Sequence, residues 1–354
     1  MQYYNYSLPD LTEHRQLKKY YRRLSWIIIT LVFIFSFFST AIIESAAAII
    51  GGGFNKDAIE SGKEFILNDP ILRSLYSYGF PIAADIAALG IGIMITKIKW
   101  QPKFSLKNVS GKTFMCFTAL SFGISTIGAF LNVIILSIIT VISGAFTETT
   151  LNEAADNMML TNASNPLWID LLTYFYICLL GPVLEELIFR GVLLDGLRKY
   201  GNWFGIIISS ILFGLMHQNF MQCIPAICMG IVWGYMTVKT GSIIPSIIIH
   251  ILNNSLSSLL LILMENVDIT AMIEDIQLTQ YVPLIIALGI NMIFRLVCII
   301  ASAIIIITFF KDKRRLYDTN DYTRVRTWKY FFTSIPWLIV IIYMTITTVT
   351  SISI

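Results

Sequence analysis

The sequence predicts an all-α fold, a polytopic transmembrane helical bundle of about nine spans with a cytoplasmic N-terminus. Three observations lead there. Apolar runs of about 18 residues or more recur along the chain, and a run of that length crosses a bilayer as a helix. Only 13% of the 354 residues are charged and 56% are hydrophobic, whereas an ordinary soluble domain carries about 25% charged residues. Lys and Arg gather in alternate connecting loops, as the positive-inside rule requires.

Residues 1–23 form a polar arm ending in Arg15, Lys18, Lys19, Arg22 and Arg23, which places it in the cytoplasm. His14 lies in this arm and reads as a bystander. So long a polar start, before a run too long for a signal sequence, predicts no cleavable leader. The first span, 24–50, stops at Gly51-Gly-Gly53, and a loop of mixed charge follows. The second, 71–96, exits into Lys97, Lys99, Lys103, Lys107 and Lys112, again inside. The third, 114–142, leads to a loop with Glu148, Glu153 and Asp156 and no cation, hence outside. The fourth, 168–194, returns to Arg198 and Lys199. A short fifth, 203–220, is marginal for a full crossing.

The sixth, 222–238, is capped by Lys239 and carries Gly230-Ile-Val-Trp-Gly234, a spacing that lets helices approach closely. The seventh, 242–263, precedes Glu265, Asp268, Glu274 and Asp275, outside. The eighth, 281–310, exits into Lys311, Lys313, Arg314, Arg315, Arg324, Arg326 and Lys329, inside. The ninth runs from 330 and puts the C-terminus outside. The runs divide the chain into a basic arm (1–23), N-terminal helices (24–163), a core bearing the polar motifs (164–264) and C-terminal helices (265–354). Cys116, Cys178, Cys223, Cys228 and Cys298 all lie in apolar runs without C-x-x-C spacing, so they read as reduced thiols.

Ionisable groups inside such runs are functional-site candidates, because each is costly at that depth unless paired or hydrated. The fourth span holds Gly181-Pro-Val-Leu-Glu-Glu-Leu-Ile-Phe-Arg190. Neighbouring helical residues point about 100° apart, so Glu185 and Glu186 face different surroundings. Glu186 and Arg190, at i and i+4, can form a charge-assisted contact. Glu185 has Phe189 at i+4 and no partner on its own helix. A carboxylate left in a low-dielectric cleft moves toward the range of a general base or acid. Chemistry is therefore assigned to Glu185, and support to Glu186 and Arg190. Pro182 removes one helical hydrogen bond and predicts a kink that admits water beside Glu185.

Two of the 3 histidines lie in later apolar runs. Phe213 and His217 share one helical face, as do His250 and Asn254. A lone histidine on an apolar helix is more often a hydrogen-bonded core residue, and an isolated Glu–Arg pair is often a packing clamp. Taken together, the groups supply a base, an imidazole and two donors for an oxyanion, the needs of amide hydrolysis. At about 1.5 Å per residue, Glu186 lies about 18 Å from Arg198, His217 about 21 Å from Trp203 and His250 about 12 Å from Ser242. All three depths fall within a hydrocarbon core of about 30 Å.

Glu185-Glu186-x-x-x-Arg190, Phe213-x-x-x-His217 and His250-x-x-x-Asn254, in this order, resemble the three motifs of the CPBP intramembrane proteases. These comprise CAAX prenyl proteases and bacteriocin-processing or immunity proteins, also called the ABI family. The resemblance spans about 165–260 and leaves the flanking helices unmatched. It implies that Glu185, assisted by His217, activates water, that His250 and Asn254 stabilise the oxyanion, and that Glu186 and Arg190 are structural. Zinc is the one candidate cofactor, with Glu185, His217 and His250 as ligands. The helical H-E-x-x-H pattern is absent, and the reading leans to no obligatory metal.

The expected partners are membrane lipid and a peptide or membrane-protein substrate, not nucleic acid. The Ile- and Lys-rich composition suggests an AT-rich bacterial genome and a bacterial plasma membrane. Two competing classes remain: a non-proteolytic scaffold or immunity protein of the same fold, and a transporter using the carboxylates as a proton or cation site.

Overall fold

The computed structural model describes residues 14–143, 166–198, 201–265, 282–311, 328–329 and 331–350, and all regular structure among them is helical. The helices are α1 (His14–Val32), α2 (Ser39–Ile50), α3 (Lys56–Asn68), α4 (Pro70–Thr96), α5 (Gly111–Ser143) and α6 (Leu167–Leu197). They continue as α7 (Asn202–Met216), α8 (Phe220–Thr240), α9 (Ile244–Glu265), α10 (Val282–Lys311) and α11 (Ile335–Thr350). Residues 1–13, the acidic residues Glu148, Glu153, Asp156, Asp268, Glu274 and Asp275, and the cations Lys199, Lys313, Arg314, Arg315, Arg324 and Arg326 lie outside the described residues.

The chain is an all-α, multi-pass membrane protein. Among the described residues, 6 helices are long and apolar enough to cross a membrane: 70–96, 111–139, 167–197, 220–240, 244–264 and 282–308. The other three expected spans, the first, fifth and ninth, hold the shorter apolar helices Ser39–Ile50, Asn202–Met216 and Ile335–Thr350. Nine full crossings therefore do not follow from helix length. In α7 the 15 residues rise about 22 Å, short of a core of about 30 Å.

The chain forms two compact units. The first takes residues 1–100, 163–209 and 318–344. In it the expected loop after Gly53 is the helix α3, capped by Asn55, whose Oδ1 accepts the Ala58 N–H at 2.8 Å. Asp69 Oδ1 accepts the N–H groups of Ile71 and Leu72 at 2.9 Å each and starts α4, with Pro70 in its first turn. Tyr21, Phe204, Phe331 and Trp337 form a buried aromatic cluster, closed by the Trp337 Nε1–H donating to the Tyr21 carbonyl at 2.9 Å.

The second unit takes residues 101–162, 210–317 and 345–354. A Cβ on Gly123 would meet the Cys298 backbone carbonyl, so the α5 and α10 backbones approach closely there. A Cβ on Gly230 would lie 2.9 Å from Ser210 Cβ, the close approach that the small-residue spacing of the sixth span predicts. Pro225 interrupts α8 and has no N–H to give the Met221 carbonyl. Asn132 on α5 replaces it, its Nδ2 donating to the Met221 carbonyl at 2.7 Å and to that of Phe220 at 2.9 Å. Asn132→Leu leaves these carbonyls without that donor and is expected to destabilise the protein by about 1–3 kcal/mol. Thermal unfolding in detergent micelles measures it.

Candidate functional site

The first group of site residues is set by how α6 accommodates Pro182. Residues Tyr176–Leu180 and Leu187–Leu193 are π-helical, on either side of the α-helical Gly181–Glu186. The Gly181 N–H reaches five residues back to the Tyr176 carbonyl. The irregularity expected at Pro182 is thus taken up as a π turn, a device often found at functional sites. Glu186 and Arg190 are both fully buried, at 0% and 1% exposure, and pair at 3.0 Å between Oε1 and NH1. Trp100 covers this turn so closely that a Cβ on Gly191 would lie 2.8 Å from its ring. Glu185, one residue earlier, is only half-buried. Its Oε2 is nevertheless buried, as are both carboxylate oxygens of Glu186.

The second group lies in the second unit. His217 sits one residue past the end of α7, where Gln218 adopts a left-handed φ of 48° and the chain turns toward α8. His217 Nδ1 is 2.8 Å from the Phe213 carbonyl. A carbonyl only accepts, so Nδ1 carries the proton and a neutral ring keeps its lone pair at Nε2. Phe213 meets the His217 ring edge-on at 5.1 Å and the His250 ring edge-on at 5.8 Å. One buried phenyl ring therefore spaces both imidazoles. His250 also packs against Trp233 with ring centres 4.6 Å apart, and the Trp233 Nε1–H is anchored on Ser121 Oγ at 2.9 Å. Asn254 Oδ1 accepts from Asn253 Nδ2 at 3.3 Å.

Glu185, Glu186 and Arg190 belong to the first unit; Phe213, His217, His250 and Asn254 belong to the second. No group of three or more His, Cys, Asp or Glu placed to hold a metal ion occurs among the described residues. Within the second unit His217 and His250 are two donors, one fewer than a catalytic zinc takes from protein. Two residues escaped the sequence reading. Trp233 looks like one more apolar residue between two glycines. Asp85 is the one carboxylate in 70–96, and the depth rule that singled out Glu185 applies to it equally.

Fold and site residues define a multi-pass helical membrane protein with a buried Glu186–Arg190 ion pair and two aromatic-packed histidines. Residues 166–256 match the family model described as type II CAAX prenyl endopeptidase Rce1-like. That segment, about a quarter of the chain, contains all seven motif residues. The chain is also 31% identical over 78 residues to a Bacillus subtilis (strain 168) protein named "Putative membrane peptidase YdiL", covering 22% of this chain and 32% of that one. The match thus spans about a third of the relative's length. No solved structure gives a significant match.

Proposed function

We propose that this protein is an intramembrane endopeptidase that hydrolyses a peptide bond in a membrane-associated peptide or protein, in a bacterial plasma membrane. The observation that carries this reading is the division of labour on α6. Arg190 and Glu186 pair where both are fully buried, while Glu185, the next residue along, keeps partial exposure. In this reading Glu185 takes a proton from water as the oxygen attacks the scissile carbonyl carbon. His217 assists through the Nε2 lone pair that its bond to the Phe213 carbonyl leaves. His250 and the Asn254 NH2 donate to the oxygen on which negative charge develops. Glu185 then returns the proton to the leaving nitrogen.

The test is cleavage of a membrane-associated reporter by the purified protein in liposomes. Wild type cleaves, and His217→Ala is expected to lose about 10²–10⁴-fold in kcat with expression intact. Full activity in both Glu185→Gln and His217→Ala would contradict the reading. No step in this reading uses a metal. Activity is accordingly expected to survive exhaustive chelation, and metal analysis of active protein to find less than one equivalent. Chelator-sensitive activity restored by zinc would contradict that part.

A further inference from the structure

A cleft between α1 and α4, within the first unit, plays no part in the proposed chemistry. It holds about 370 Å³ and is lined by Arg23, Trp26, Ile91, Met94, Ile95 and Lys97. Arg23 and Trp26 stand one turn apart on α1, and Ile91, Met94 and Ile95 share one face of α4. The two helices pack together beside it, where a Cβ on Gly92 would lie 3.5 Å from Ile27 Cδ1. Trp26 and Met94 are 55% and 70% exposed, so the cleft opens on the surface of the bundle.

The cleft has a charged end and an apolar end. Arg23 immediately precedes the first apolar run, and Lys97 immediately follows the second. Lining one cleft, the two cations stand together at one edge of the membrane. Trp26 lies one turn inside Arg23, at the depth where indole rings settle among lipid headgroups. Ile91 lies about 9 Å deeper than Lys97, at 1.5 Å per residue, and so among acyl chains.

No Asp or Glu lines the cleft, and the Arg23 and Lys97 side chains form no ion pair among the described residues. A headgroup with its own ammonium would bring a third positive charge to this edge. A phosphate without one brings the missing negative charge, and guanidinium and ammonium both bind phosphate well. Lys97 also caps α4 with a left-handed φ of 51°, a conformation that favours glycine. What recommends lysine there is its side chain, which lines the cleft.

We propose that this cleft binds one anionic phospholipid. The phosphate sits between the Arg23 guanidinium and the Lys97 ammonium, and an acyl chain lies along Trp26, Ile91, Met94 and Ile95. The lipid thereby bridges α1 to α4 at the edge expected to face the cytoplasm. The site shares no residue with the proposed hydrolysis and holds whether or not the protein is a protease.

The test uses the full chain in detergent micelles, titrated with dioleoyl phosphatidylglycerol or dioleoyl phosphatidylcholine and read by native mass spectrometry. Wild type is expected to retain one phosphatidylglycerol about 25-fold more tightly than phosphatidylcholine, about fivefold for each cation. Arg23→Gln combined with Lys97→Gln is expected to abolish that preference. Arg22→Gln combined with Lys99→Gln removes two exposed cations that neighbour the cleft without lining it, and is expected to keep the preference. Met94→Trp fills the apolar end with both charges intact and is expected to lose the bound lipid. Lys97→Gly separates charge from fold: the preference should fall about fivefold, while the melting temperature stays at or above wild type. Equal retention of the two lipids by wild type would overturn the proposal, as would full retention by Met94→Trp. Equal losses in the two double variants would mean surface charge only and would overturn it too. Displacement of phosphatidylglycerol by millimolar inorganic phosphate would reassign the cleft to a free anion and refute the lipid.

Discussion

Glu185→Gln is expected to lower kcat for peptide hydrolysis by about 10²–10⁴-fold while leaving yield and melting temperature near wild type. The substitution keeps the volume and removes the basic oxygen. Glu185 is half-buried and not the partner in the Glu186–Arg190 pair, so the fold loses little. Glutamine cannot take a proton from water, and the loss should fall on kcat rather than KM. Steady-state kinetics on a membrane-associated peptide, with circular dichroism to confirm folding, separates the two. A variant with wild-type kcat would remove Glu185 from the chemistry.

Glu186→Gln is expected to act the other way. It leaves the Arg190 guanidinium buried at 1% exposure beside a neutral amide. Removing one partner of a buried pair costs about 3–5 kcal/mol. Yield and thermal stability should therefore drop, while turnover per folded molecule stays within a few-fold of wild type. Denaturation in mixed micelles together with active-site titration measures both quantities. Normal stability with lost turnover would exchange the roles of the two glutamates.

Much of the fold and of each local motif was legible in the sequence, because both rest on spacing. A long apolar run has one solution in lipid, a helix, and α4, α5, α6, α8, α9 and α10 follow from it. The i and i+4 spacing placed Glu186 on Arg190 and Phe213 on His217, and both contacts form. Helix length was harder to read. The expected span 203–220 runs across the polar His217-Gln-Asn219 to Phe220, whereas the helix ends at Met216 and Gln218 turns the chain with a positive φ, so the span overestimates α7. The π turns of α6 were visible only as a kink at Pro182, since composition does not say how a helix absorbs a missing hydrogen bond.

Contacts across distant sequence were not legible at all. Phe213 spacing both imidazoles, Trp233 on His250 and Asn132 on the carbonyls before Pro225 each join residues far apart in the chain. No periodicity encodes such pairs. Asp85 is a different case: the depth rule covered it, but no partner on its own helix drew attention to it.

The account depends on Glu185 acting as the base of peptide hydrolysis with His217 assisting the same step. Steady-state kinetics of Glu185→Gln, His217→Ala and the double variant on a membrane-associated peptide in liposomes test this most directly. The predicted result is a double variant that turns over no more slowly than the slower single one, because groups that act as a unit lose their effect together. Losses that multiply in the double variant, or wild-type kcat in either single variant, would contradict it.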